Sequence, residues 1–206
     1  MKTRKLGPFQ VSAIGLGCMN LSHAYGAPPP ADVAERLLLT ALDAGVTLFD
    51  TAALYGFGTN EMLLGRVLKP YRQQFTLASK CGMQGVRFAH GMKRVIDGRP
   101  ATIKATCEDS LRRLQTDVID LYYLHRWDKQ VPIEDSVGAL ADLLREGKIR
   151  AIGLSEVSAT TLRRNRVCRM RAAQRGGRHF GQADCADLAL TQQVGQRAHQ
   201  IGRAHV

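Results

Sequence analysis

No apolar run in this 206-residue chain approaches the roughly 18 residues that a membrane-spanning helix needs, so no transmembrane segment is expected. The amino terminus, MKTRKLGPFQVS, is basic but has no apolar stretch behind it, and no secretory signal is expected either. The five cysteines, Cys18, Cys81, Cys107, Cys168 and Cys185, show no CxxC spacing. Such a dispersed, odd set argues for reduced thiols, hence a cytoplasmic location, and against a disulfide framework or a zinc site. Gly15 and Gly17 lack the third glycine of a dinucleotide fingerprint, because position 20 is Asn20 and no helix opens there. That argues against a Rossmann fold.

The last fifth of the chain lacks Lys and Glu altogether. Residues 163–206 hold 9 Arg and 2 Asp, whereas residues 1–162 hold 20 Lys and Arg against 16 Asp and Glu. Most of the net charge of +11 therefore belongs to a short segment unlike the rest. Arginine without interleaved aromatics, Phe180 apart, makes a weak case for nucleic-acid binding, since charge alone yields only salt-sensitive affinity. The division expected is one domain over residues 1–164 and an unlike tail over 165–206, accounted for by a frame change or a join to foreign sequence.

What the first part does contain is a repeated pattern. Residues 46–49 (VTLF) form a short apolar run that stops at Asp50, with Tyr55 five residues on; residues 75–78 (FTLA) run into Ser79 and Lys80; residues 118–124 (VIDLYYL) run into His125, Arg126 and Trp127. Runs of this length bounded by turn signals read as buried strands. Helical stripes lie between them: Val33, Leu37, Leu38, Ala41 and Leu42 ahead of Gly45; a helix capped by Asn60 through Met62, Leu63 and Val67; and Ile103, Thr106, Cys107, Ser110, Leu111 and Leu114. A further helix starts at Pro132 and uses Val137, Leu140, Ala141 and Leu144, ending at Gly147. Residues 11–17 read as a first strand and 149–154 as a fifth, with Ser158 or Thr160 capping the start of another helix. Residues 2–10 read as a hairpin around Gly7-Pro8, and the polar, basic stretch 81–100 as a surface flap without regular structure.

Alternation of strands and helices predicts an α/β fold with a parallel sheet. An open doubly wound sheet and a (β/α)8 barrel both suit strands that are apolar on two faces. The hairpin ahead of the first strand and chemistry on several consecutive strand ends favour the barrel, here as about its first five βα units. All parallel strands end at one face, so Asp50, Tyr55, Lys80 and His125 converge there. Each has a structural reading when taken singly: cap carboxylate, half-buried aromatic, solvated amine, satisfied imidazole. Together they read as a site.

The segments GLGCMN (15–20), AGVTLFDTAALYG (44–56), NEMLLG (60–65), LASK (77–80), DLYYLHRWD (120–128) and GKIRAIGLSEVS (147–158) resemble the aldo-keto reductases, in that family's order and spacing. The resemblance covers roughly residues 3–163 and is nearest to the bacterial NADP-dependent branch that is itself similar to potassium-channel β subunits. It implies a (β/α)8 barrel that transfers a hydride from NADPH to the carbonyl of a small aldehyde or ketone. It further implies catalysis by Asp50, Tyr55, Lys80 and His125, and cofactor contacts from Gly17, Cys18, Met19, Asp50, Ser155 and Glu156. Tyr55, His125 and Trp127 would line the substrate. The roles expected are Tyr55 as acid with its pKa lowered by Lys80, Asp50 holding Lys80 charged, and His125 orienting the carbonyl. A β-subunit-like, NADP-binding regulatory role is the alternative. With nothing of the family after Arg164, poor folding and impaired activity are expected of this chain. No metal is expected.

Overall fold

In this computed structural model, residues 1–22 and 26–163 are described. The tail expected from residue 165 onward lies outside them. The chain opens with an antiparallel hairpin, β1 (Thr3–Leu6) and β2 (Phe9–Ser12), turned at Gly7, whose positive φ of 56° suits glycine. Five parallel strands follow: β3 (Leu16–Gly17), then, after helix α1 (Ala31–Asp43), β4 (Leu48–Asp50). Helix α2 (Thr59–Leu68) leads to β5 (Thr76–Cys81). A second antiparallel hairpin, β6 (Met83–Phe88) and β7 (Gly91–Ile96), precedes helix α3 (Pro100–Leu114) and β8 (Ile119–Leu124). Helix α4 (Ile133–Arg145) and β9 (Ile149–Leu154) complete the sheet, whose order is β3-β4-β5-β8-β9 with every pair parallel.

The helices are amphipathic as their spacing demands. In α3 the buried set is Ile103, Thr106, Cys107, Ser110, Leu111 and Leu114, the stripe expected from the sequence. In α4 the buried residues include Val137, Leu140 and also Leu143, while Ala141 and Leu144 pack partly buried against the core. All six residues of β5 are buried, as a strand covered by helices on one side and neighbours on both edges requires. Asp120 pins the register of three strands. Buried in β8, it accepts from Leu77 N of β5 at 2.8 Å, from Arg72 at 2.8 Å, and from Arg150 of β9 at 2.8 Å.

Four expectations need correction. Residues 11 and 12 belong to the first hairpin, with Thr3 opposite Ser12, and the barrel strand is only Leu16–Gly17. Ser12 and Thr47 exchange backbone-to-hydroxyl bonds of 2.8 and 2.9 Å, fastening that hairpin beneath the amino-terminal end of the sheet. Of the stripe expected for α1, Leu38 is buried and Ala41 and Leu42 pack partly buried against the core, but Val33 and Leu37 are exposed and Ala34 completes the buried face. Asn60 does not cap α2, whose N-cap is Gly58 at φ 99°; it is buried in the first turn for another purpose. Residues 81–100 are not an irregular flap, since β6 and β7 pair in full register from Met83↔Ile96 to Phe88↔Gly91. At the base of that hairpin, Ser136 of α4 donates to Gly98 O at 2.6 Å. Ser158 does cap a last helical turn, accepting from Thr161 N at 3.1 Å.

Candidate active site

The carboxyl ends of β4, β5 and β8 deliver Asp50, Lys80 and, one residue past β8, His125 to a common place. Tyr55 arrives from a tight turn, Tyr55–Gly58, that follows β4 and holds Gly56 and Phe57 at positive φ. The buried Lys80 ammonium makes three contacts: a short ion pair with Asp50, a bond to Thr51 O at 2.8 Å, and one to Tyr55 Oη at 3.1 Å. His125 stands edge-on to Tyr55, ring centroids 5.8 Å apart. Its backbone N donates to Cys81 O at 2.8 Å, which fixes the start of the loop. The four side chains expected from the sequence are brought together.

Electrostatics sort their protonation. Burial works against the charge of Lys80, but Asp50 and Tyr55 together outweigh it and raise its pKa, so the amine stays charged. Burial raises the pKa of Tyr55; Lys80 pulls the other way without overcoming it, and Asp50 adds to the rise. The lowering expected at Tyr55 is therefore present as one contribution and not as the net result. His125 is lowered to about 3 by burial first, then by Lys80, Arg126 and Arg94, so its imidazole is neutral. Its Nδ1 is buried without a hydrogen-bond partner among the described residues.

Of the remaining expected residues, Gly17, Cys18 and Met19 border this cluster. Gly17 pairs with Asp50 across the sheet, and there is open space where its Cβ would stand. Cys18 is fully buried, its N donates to Asp50 O at 2.8 Å, and burial pushes its thiol far up. Met19 packs against the small cluster of Ala52, Leu54, Tyr55 and Met83. Ser155 N donates to Leu124 O at 3.0 Å just past β9, and the exposed Glu156, at φ 54°, pairs with Arg126. Trp127 is held by its own loop: Nε1 donates to Val131 O at 3.0 Å and the Lys129 ammonium sits 3.4 Å from the ring centroid. A surface groove lined by Leu111, Gln115, Asp117 and Lys148 lies at the opposite end of the strands and shares no residue with the site.

Two supporting groups escaped the sequence reading. Asn60 accepts from Thr51 Oγ1 at 2.6 Å and donates to Cys18 O at 2.8 Å and Ser22 Oγ at 3.0 Å, tying the tips of β3 and β4 together. Glu61, fully buried, accepts from Ser79 Oγ at 2.5 Å and from Arg113 Nε at 2.7 Å, beneath the strand that carries Lys80. A polar pair, Asn60-Glu61, directly ahead of the apolar run Met62-Leu63-Leu64 was the available signal.

A parallel sheet wrapped by helices, with ionisable side chains gathered at its carboxyl ends after an amino-terminal hairpin, is the plan of a (β/α)8-type barrel, present here in part. The chain belongs to the aldo/keto reductase family, whose model matches residues 13–174. It is 44% identical over 163 residues to a probable aldo-keto reductase of Glycine max, covering 78% of this chain and 46% of that protein. An aldo-keto reductase of Bacillus halodurans, solved in a holo form, superposes with a TM-score of 0.71 at 37% identity, covering 81% of this chain and 54% of that one. One from Klebsiella pneumoniae, solved in complex with NADP and acetate, gives 0.63 at 32%, with 79% and 52% covered. This chain thus spans about half the length of each of these three relatives. No helix among the described residues is long and apolar enough to cross a membrane.

Proposed function

We propose that this chain carries the carbonyl-reducing site of an NADPH-dependent aldo-keto reductase acting on a small aldehyde or ketone. The observation that carries the reading is the Lys80 ammonium, held by Asp50 and 3.1 Å from the Tyr55 hydroxyl, with a neutral His125 alongside. A nicotinamide cofactor fits two features: the open space at Gly17, and the buried, unpartnered Nδ1 of His125 among the described residues. Gly17, Cys18, Met19, Asp50, Ser155 and Glu156 are the residues that would hold it. When bound, it supplies the hydride. The choice of NADP follows the Klebsiella pneumoniae relative.

Carbonyl reduction leaves negative charge on oxygen, and the protein must provide a proton there. Tyr55 keeps its phenolic proton at neutral pH and donates it to that oxygen. Lys80 then faces the phenolate and stabilises its charge, while Asp50 keeps the ammonium in place. A buried N–H without a partner is costlier than a bare lone pair, which favours the His125 tautomer with its proton on Nε2. That N–H orients the carbonyl. The buried free thiols Cys18, Cys81 and Cys107 support a reducing compartment, the cytoplasm. The partner is a small carbonyl compound and not a nucleic acid. Because the chain spans about half of its relatives, full turnover belongs to the whole protein, and reduced turnover is expected of these 206 residues.

The test is the loss of NADPH absorbance with benzaldehyde for the wild type and for Tyr55→Phe. Turnover that survives in Tyr55→Phe at the wild-type rate would sink the assignment. Tight NADPH binding with no turnover would instead favour the regulatory role.

A further inference from the structure

The β6–β7 hairpin leaves the tip of β5 immediately after Lys80 and Cys81, and its two faces look in different directions. One face turns toward α3, where Thr106 Oγ1 donates to Gln84 Oε1 at 3.3 Å. The other face turns toward the Tyr55 turn: Met83 is buried with Ala52, Leu54 and Tyr55. On that face a Cβ at Gly85 would stand 2.1 Å from Phe57 Cδ1, so the Phe57 ring lies directly on the hairpin backbone. The register pairs Met83 with Ile96 and Gly85 with Arg94. Directly opposed residues of an antiparallel pair share a face, which puts Arg94 and Ile96 on the side of Tyr55 and Phe57.

Arg94 is exposed and has no carboxylate partner among the described residues, whereas Arg99, Arg113 and Arg126 each have one. Its charge is felt at His125. Ile96, 43% exposed, shares its face two residues on, and Phe57, also 43% exposed, lies over Gly85, the residue opposite Arg94. A guanidinium without a carboxylate partner among the described residues, on the same hairpin face as exposed apolar side chains and beside the proposed carbonyl site, suits a forked anion at the far end of an apolar spacer.

We propose that Arg94, with Phe57 and Ile96, forms a specificity-determining subsite that selects carbonyl compounds bearing a carboxylate remote from the reacting carbon. The proposal rests on the reductase reading. Its test compares kcat/KM for 4-carboxybenzaldehyde and benzaldehyde in the wild type, Arg94→Ala, Arg94→Lys and Arg94→Glu. One charge-assisted contact at an exposed position predicts that preference for the carboxylate falls about tenfold in Arg94→Ala, further in Arg94→Glu and least in Arg94→Lys. An unmoved preference, or an equal loss for both aldehydes, overturns it. Calorimetric titration of the same two compounds separates the two readings. Weaker binding of the carboxylate alone in Arg94→Ala sustains the subsite even where turnover is absent; equal or no binding of the two compounds overturns it.

Discussion

Lys80 Nζ lies 3.1 Å from Tyr55 Oη and is simultaneously ion-paired to Asp50, so a buried cation bridges a buried phenol and a carboxylate from a neighbouring strand. Removing the Tyr55 hydroxyl, the proposed proton source, leaves the geometry of the sheet untouched. Tyr55→Phe is expected to lower kcat by about 10² to 10⁴, while NADPH binding, read by fluorescence, changes little. Lys80→Met strands Asp50 beside an uncharged side chain and is expected to lose activity to a similar degree.

The imidazole of His125 is expected to remain neutral far into the acid range. Its pKa is about 3 in the fold against 6.5 unperturbed, with burial the leading cause and the cations Lys80, Arg126 and Arg94 next. Below pH 6.5 the unfolded chain takes up a proton that the folded one refuses. Stability from this group is therefore complete above 6.5 and is lost progressively as the pH falls toward 3. Melting temperatures at pH 7 and pH 5 should differ less in His125→Asn than in the wild type. Imidazole NMR shifts that titrate near 6.5 would contradict this. Tyr55, raised by burial, should likewise keep its proton past its ordinary range.

Arg113 reaches from α3 to Glu61 in α2, and both ends of the contact lie under the strand that presents Lys80. Glu61 is fully buried, so truncating its partner leaves a carboxylate out of water and uncompensated. Arg113→Ala is expected to cost about 3 kcal/mol, discounted little because the charge left behind is the buried one. Urea denaturation of single and double variants checks it: Glu61→Gln combined with Arg113→Ala should recover part of the loss.

How much of this was legible beforehand depended on how local the cause was. The strand tips with Asp50, Lys80 and His125 could be read because an apolar run ending in a charge is a contiguous signal, and parallel topology then does the converging. The Glu61–Arg113 contact joins residues 52 apart in sequence and carries no local mark. Asn60 looks like a cap by residue type and is a strut between strand tips, since Gly58 at φ 99° already starts the helix. The hairpin was missed for a different reason. Its turn, Ala89-His90 ahead of Gly91, lacks the Asn-Gly type of signal, and neither β6 (MQGVRF) nor β7 (GMKRVI) alternates polar with apolar residues. Polarity read as a flap what pairing made a ledge over Tyr55.

Gly65 shows how closely α2 and α3 approach beneath the site. A Cβ there would stand 2.3 Å from Arg113 O and 2.8 Å from Leu114 C, both backbone atoms that cannot swing aside. Gly65→Ala gains helix propensity, worth up to about 1 kcal/mol in an open helix. Here the overlap forces the two helices apart, at a cost of about 1–3 kcal/mol for overpacking. The clash outweighs the propensity, and the variant is expected to be less stable than the wild type by thermal melt. Gly138 in α4 is the control: nothing lies within 4 Å of its Cβ position, so Gly138→Ala is expected to stabilise. Because Gly65 and the Glu61–Arg113 pair lie on the same helix interface, Gly65→Ala should also lengthen that contact. Its destabilisation should then fall short of adding to that of Arg113→Ala in the double variant.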